Sequence, residues 1–206
     1  MQVKLQVKLP AGLQVDLNDR ARNSWLMELT YRLAAAADTA AIAALMERSI
    51  AELQRPFLNA EQIAASRLSM GLDTQLIADG TYFAILDAGE LVGCGGWSKR
   101  ATLYGGNHSA ELRDDRLLDP ASEPARIRAM YTDPGHVRRG IGRLILGLCE
   151  DAARAAGFKR LEMMATAAGE PLYSACGYHV IERVERMSGE GIAVPGAVMG
   201  KALDHG

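Results

Sequence analysis

The residues with the most chemical content lie between Met130 and Arg143, in the run MYTDPGHVRRGIGR. A strand-like stretch ends near Thr132, Pro134 forces a turn, and Arg138 and Arg139 follow. Gly140-Ile141-Gly142 then opens a helical pattern with Arg143 in its first turn. Glycines let the backbone approach a bulky anion, and the first N–H groups of a helix have no partner within it. A helix N-terminus carries roughly +0.5 of an elementary charge, so this turn suits a phosphate or diphosphate. Arg138, Arg139 and Arg143 add positive charge around it. The P-loop reading fails because no Gly-Lys pair follows Gly142. The dinucleotide fingerprint GxGxxG is also poorly met: Ile145 holds its third glycine position, and seven residues separate Thr132 from Gly140. Glu162 does stand at about the distance of a ribose-binding acid, which keeps a dinucleotide-dependent enzyme as a rival.

Other reactive side chains carry less. Cys176 has no histidine–acid pair placed by spacing around it and reads as a small buried apolar residue. His136, ahead of the arginines, reads as water-facing. Arg126 and Arg128 alternate onto one strand face, where salt bridges are the default. Trp25 and Trp97 read as core or edge residues.

Positioning the glycine turn takes a strand before it and a helix after it, and the surrounding pattern supplies both. Residues 29–33 read as a short strand. Asp38 and Thr39 cap a helix with Ile42, Leu45, Met46, Ile50 and Leu53 on one face. Asn59 and Gln62 form a capping box for a second helix reaching about residue 72. The apolar run 81–87, a turn at Ala88-Gly89-Glu90 and a strand at 91–100 make an antiparallel hairpin. Residues 101–124 lack periodicity and read as a lid, a binding loop or disorder. Ala125–Thr132 reads as a strand. A helix over 140–157 follows, with Ile141, Leu144, Ile145, Leu148 and Ala152 on its apolar face. A strand at Arg160–Thr166, a short helix at Glu170–Ala175 and strands at 178–187 and 192–203 complete the chain. The order predicts an α/β (α+β) fold: a single mixed, mostly antiparallel twisted sheet with helices on both faces. Residues 1–28 stand apart as an N-terminal extension, with a possible hairpin in QVKLQVKLPAGLQVD, and 29–206 form the main domain.

The bulk numbers agree. The 206 residues, 49% hydrophobic and 23% charged, suit one domain with a full core. A net charge of −2 leaves no electrostatic footprint for nucleic acid or an anionic membrane. The three cysteines are widely spaced without a CxxC pair, so neither a disulfide framework nor a metal site is expected, and a reducing cytoplasm is the default. The N-terminus lacks a continuous apolar stretch, which argues against a signal peptide.

Strand, proline, basic residues, GxG and helix together resemble the acetyl-CoA-binding motif of the GNAT superfamily of N-acetyltransferases. The likeness extends to Tyr173, four residues before Gly177-Tyr178, to the glycine-rich VGCGGW over 92–97, and to the element order from residue 29 onward. It implies that backbone N–H groups of Arg138, Arg139, Gly140, Ile141, Gly142 and Arg143 hold the diphosphate of acetyl-CoA. Met130, Tyr131 and Thr132 would meet the pantetheine arm, and the Met130 N–H would act as an oxyanion donor. Tyr173 would act as general acid toward the CoA thiolate; with an ordinary pKa near 10 it keeps its proton at neutral pH. Two positions depart from the family pattern: Val137 where Gln or Arg is usual, and Thr166 where Asn is usual. An amine acceptor must lose its proton, and Glu111 is the named base, with Asp114, Asp115, His108 and Glu162 as others and water as an alternative to all. The resulting expectation is acetyl transfer to a primary amine of a small molecule or peptide by direct attack in a ternary complex. The alternative is a non-catalytic acyl-CoA-binding or sensing domain. A homodimer is a family-level expectation.

Overall fold

The computed structural model describes residues 29–187 and 191–203. The expected N-terminal hairpin and Trp25 lie outside the described residues. The elements run β1 Thr30–Leu33, α1 Thr39–Leu53, α2 Ala60–Ser66, α3 Thr74–Ala78, β2 Tyr82–Asp87, β3 Glu90–Ser98, β4 Ala125–Thr132, α4 Ile141–Ala155, β5 Arg160–Thr166, α5 Glu170–Ala175, β6 His179–Met187 and β7 Ala193–Ala202. The seven strands form one sheet in the order β1-β2-β3-β4-β5-β7-β6. Every pairing is antiparallel except β4 with β5, as the mixed, mostly antiparallel expectation required.

Each face of the sheet carries helices because the strands alternate their apolar residues. Ile85, Ile127, Leu161, Met163 and Ala165 join Ile141, Ile145, Leu146, Cys149 and Ala153 of α4 in one core. Tyr82, Ala84, Cys94 and Tyr131 join Ile42, Leu45, Met46 and Ile50 of α1, with Ile63 of α2 and Leu76 of α3, in the other. The apolar seam of α4 is turned slightly from the expected one: Leu144, Leu148 and Ala152 flank it, half-buried.

Two local readings need revision. The capping box at Asn59 is real, with Gln62 N–H donating to Asn59 Oδ1 at 2.8 Å and Asn59 N–H to Gln62 Oε1 at 3.1 Å. The helix it starts, however, ends at Ser66, and α3 begins anew at Asp73, whose carboxylate accepts from Gln75 N–H at 3.0 Å. Residues 101–124, without periodicity, are nonetheless folded. Ala101 N–H donates to Arg116 O, Thr102 N–H to Asp114 O and Leu118 N–H to Lys99 O, so the two ends of the segment run side by side.

Candidate active site

The site begins where two strands part. β4 and β5 pair only through Ala125 with Leu161 and Arg126 with Glu162, after which β5 follows β7 along its full length. The remaining length of β4 therefore faces an opening rather than a neighbour. Within it, Ala129 sits at φ +50, and the register with β3 slips between Cys94 and Gly96. This β-bulge inverts the phase of the strand. Ile127 faces the α4 core while Tyr131, four residues on, faces the α1 core, which regular alternation forbids. Tyr82 Oη donates to Ala129 O at 2.7 Å and holds the kink. Met130, next to it, has no register partner on β3.

The opening is the mouth of a cleft of about 460 Å³, within the usual range for a small-molecule site. At one end stand Val137, Arg138 and Gly142. Gly140 takes φ +80 as the N-cap of α4, a conformation costly for other residues, and no side chain caps the helix. The first N–H groups of α4 are thus left for a ligand. Gly142 is a glycine for a different reason: a Cβ there would lie 2.5 Å from Leu172 Cδ2, so its absence lets α5 pack against α4.

The loop's charges divide into two sets. Arg139 is turned away to Asp87 at 2.8 Å, His136 Nδ1 lies 3.3 Å from Asp133, and Arg48 reaches Asp133 at 2.7 Å. These contacts brace the turn. Arg138 and Arg143 are exposed and have no ion pair among the described residues, so their charge is uncommitted.

Midway along the cleft, Met130, Thr132, Met163, Met164, Thr166 and Tyr173 form its walls. Tyr173 stacks edge-on against Tyr178, with 6.3 Å between centroids, and its hydroxyl makes no hydrogen bond among the described residues. Burial pushes that phenol up to about 12. Thr166, at the position of a usual asparagine, accepts from Gly169 N–H at 3.2 Å and so shapes the turn into α5.

The far end draws on Glu52, Gln54 and Phe57 after or within the last turn of α1, Ser69 to Gly71, Leu103 to Gly105, and Arg186 of β6. Its frame is a buried ion pair. Arg128 donates to Asp73 at 2.9 Å, to Thr102 O at 2.9 Å and to Gly105 O at 2.7 Å, while Arg113 reaches Asp73 at 3.2 Å. Burial pushes the Arg128 guanidinium down despite this partner. The non-periodic loop is thus clamped to the sheet and to α3 through two side chains.

Residues 46–178, more than half of the chain, match the Acetyltransferase (GNAT) family. The chain belongs to the GNAT acetyltransferase family. Among solved structures it is similar to an N-acetyltransferase from Rhodopseudomonas palustris, with a TM-score of 0.63 at 20% identity, covering 85% of this chain and 96% of that one. A phosphinothricin acetyltransferase from Sinorhizobium meliloti, solved with acetyl-CoA, gives 0.58 at 19% identity over 87% and 91% of the two chains. An N-acetyltransferase from Thermoplasma acidophilum in complex with coenzyme A gives 0.57 at 11% identity over 85% and 99%. At these identities the likeness speaks for the fold. No curated protein matches the chain.

Set on this GNAT fold, the sequence candidates separate. Met130, Tyr131, Thr132, Arg138, Gly142 and Tyr173 line one cleft. Gly140, Ile141 and Arg143 belong to the α4 turn at its mouth, with Ile141 buried beneath. Arg139 points elsewhere. Glu111 is exposed on a single 3-10 turn over Ala110–Leu112 and does not line the cleft, and neither do His108, Asp114 or Asp115. Glu162 is engaged by Arg126 and does not line the cleft. Among the described residues the carboxylate that does line the cleft is Glu52. It, Gln54, Tyr104 and Arg186 were missed by sequence reasoning, because they come from three distant segments and form no local motif.

Proposed function

We propose that this GNAT-family protein acetylates a primary amine of a small molecule or peptide, by direct attack of the amine in a ternary complex. The supporting observation is the continuity of one cleft from the uncapped start of α4, past the bulged residue Met130, to the Tyr173 hydroxyl, which has no partner among the described residues.

The residues present fit acetyl-CoA. The free N–H groups of the first α4 turn hold its diphosphate, with Arg138 and Arg143 adding charge. The edge of β4 exposed by the splay receives the pantetheine arm through main-chain groups. When bound, acetyl-CoA supplies an acetyl thioester activated toward nucleophiles. The Met130 N–H donates to the thioester oxygen and stabilises the negative charge that gathers there. Tyr173 Oη gives its proton to the departing sulfur. Its raised pKa keeps the proton in place, and the same burial makes a neighbouring thiolate a stronger base. An alkylamine with a pKa of about 10.4 must arrive unprotonated. Water in the open cleft can take that proton, with Glu52 as the acidic side chain at hand.

Incubation with acetyl-CoA and a panel of amines, following release of free CoA, tests the reading. Turnover of at least one amine is expected. Thermal stabilisation by CoA without turnover of any amine would leave a binding domain instead. Stabilisation by NADPH but not by CoA would remove both.

A further inference from the structure

Arg186 is the unusual residue of the far end. It projects from β6 into the wall of the cleft, and its guanidinium is only partly committed. Nη1 donates to Ser69 Oγ at 2.7 Å, and the Tyr104 ring lies 5.5 Å from the guanidinium carbon. Nε and Nη2 are shielded from bulk solvent and have no hydrogen-bond partner among the described residues. Nor does Arg186 have a carboxylate partner among the described residues. A shielded guanidinium edge with nothing to donate to is costly, and buried polar groups in native proteins are nearly always satisfied. Burial also pushes this guanidinium down from its ordinary value.

The geometry of the free edge names its partner. Nε–H and Nη2–H point the same way from one side of the plane, the arrangement that matches two oxygens of a carboxylate. Two other arginines of this protein use that same edge. Arg100 gives Nε and Nη2 to the two oxygens of Asp79 at 2.7 and 2.9 Å, and Arg48 gives the same pair to Oδ2 of Asp133 at 3.1 and 2.7 Å. In Arg186 the edge is equipped in the same way, and no carboxylate among the described residues meets it. Both atoms are enclosed, so a carboxylate reaches them only when the side chains around them part, and it then breaks no hydrogen bond among the described residues. Close by, one end of the Gln54 amide is likewise buried and unpaired, while the other touches Met70 Sδ, beside the serine that holds Arg186. The wall of the acceptor end thus carries two unsatisfied polar groups.

We propose that the acceptor is an amine that also carries a carboxylate, and that the Nε/Nη2 edge of Arg186 binds that carboxylate and sets acceptor specificity. The proposal rests on the acetyl-transfer reading and deepens it. Recognition of this kind discriminates strongly, because an acceptor without the carboxylate leaves the buried edge unpaired. The effect on kcat/KM is about tenfold to a hundredfold.

The test pairs amino acids with their decarboxylated amines, leucine with 3-methylbutylamine, tyrosine with tyramine and lysine with cadaverine, as acceptors for the full chain with acetyl-CoA. A preference of tenfold or more for the carboxylate-bearing member of a pair is expected, and Arg186→Gln should erase it while the Kd for CoA stays unchanged. Arg186→Lys, which keeps the charge but loses the fork, should restore only part of the preference. Equal or better use of the decarboxylated amines by the unaltered protein overturns the proposal, even if the variants fail to fold. If no amine is acetylated, the transfer reading falls separately. Thermal shift by the same amino acids in the presence of CoA then decides about Arg186: stabilisation lost in Arg186→Gln supports the carboxylate site, and its absence in the unaltered protein sinks it.

Discussion

The two ends of the cleft are built from different materials. At the α4 end the proposed binding groups are main-chain N–H donors, set by Gly140 at φ +80 and by a helix without a side-chain cap. At the far end they are side chains from α1, the turn after α2, the loop at 103–105 and β6. A main-chain site tolerates change in most side chains nearby and serves one unvarying ligand. A side-chain site can be rebuilt residue by residue for another acceptor without disturbing the first. The division explains how one fold can keep its cofactor while changing its substrate.

The largest effect should come from removing the frame of the side-chain end. Asp73→Ala leaves Arg128 buried without a carboxylate and leaves Arg113 only the looser contact to Asp115 at 3.7 Å. Breaking such a pair costs about 3–5 kcal/mol, which urea unfolding would register. A loss under about 1 kcal/mol would mean that the main-chain hydrogen bonds of the 101–118 segment suffice to hold that wall.

Next comes the point where the two ends meet. Tyr173→Phe should lower kcat by about a hundredfold or more, the usual contribution of a positioned acid. The Kd for CoA and the melting temperature should barely move, because the hydroxyl makes no hydrogen bond within the described residues. Undiminished kcat would return the role of acid to solvent.

At the main-chain end the effects are smaller and selective. Gly140→Val forces a β-branched residue into the left-handed region, at a cost of roughly 1–2 kcal/mol. It should raise the KM for acetyl-CoA and leave the acceptor KM alone. Arg138→Ala and Arg143→Ala should each weaken CoA binding a few-fold at low salt, with the difference shrinking as ionic strength rises. Arg139→Ala should instead act through stability, since that side chain braces Asp87. Equal salt sensitivity in all three would erase the distinction between bracing and binding arginines.

The contrast also governs what could be read from the sequence. The glycine turn, its strand and its helix are neighbours in the chain, so the main-chain end and the sheet with helices on both faces were legible. The bulge was not, because Ala129 takes φ +50 without a glycine to mark it, and a strand reading of Ala125–Thr132 passes over it. α3 was missed because its five residues are too few for periodicity to show, although the Asp73 cap was present. Arg128 was noted as a salt-bridge residue, yet nothing local pointed to a partner 55 positions away. Arg186 lies on a strand whose neighbours Glu182, Arg183 and Glu185 look like solvated charge, and only the fold reveals that its edge is enclosed.

The smallest effect concerns pH, and it sets bounds on both ends of the cleft. Burial alone would raise the Asp133 carboxyl, but hydrogen bonds from Arg48, His136 and the Gly135 N–H outweigh it and hold the group below its usual value. A carboxyl that is lower when folded adds stability present above its unfolded pKa of about 3.9 and lost as pH falls through the folded value. The brace beside α4 should therefore survive mild acid, and CoA binding should show no break at that site above about pH 4. On the alkaline side the Tyr173 phenol, raised to about 12, keeps its proton throughout an ordinary assay range. The kcat profile should keep rising as the acceptor amine loses its proton and show no fall up to about pH 10, the ordinary value for a tyrosine. A fall in kcat between pH 8 and about pH 10 that disappears in Tyr173→Phe would show a phenol far less buried than the structure makes it.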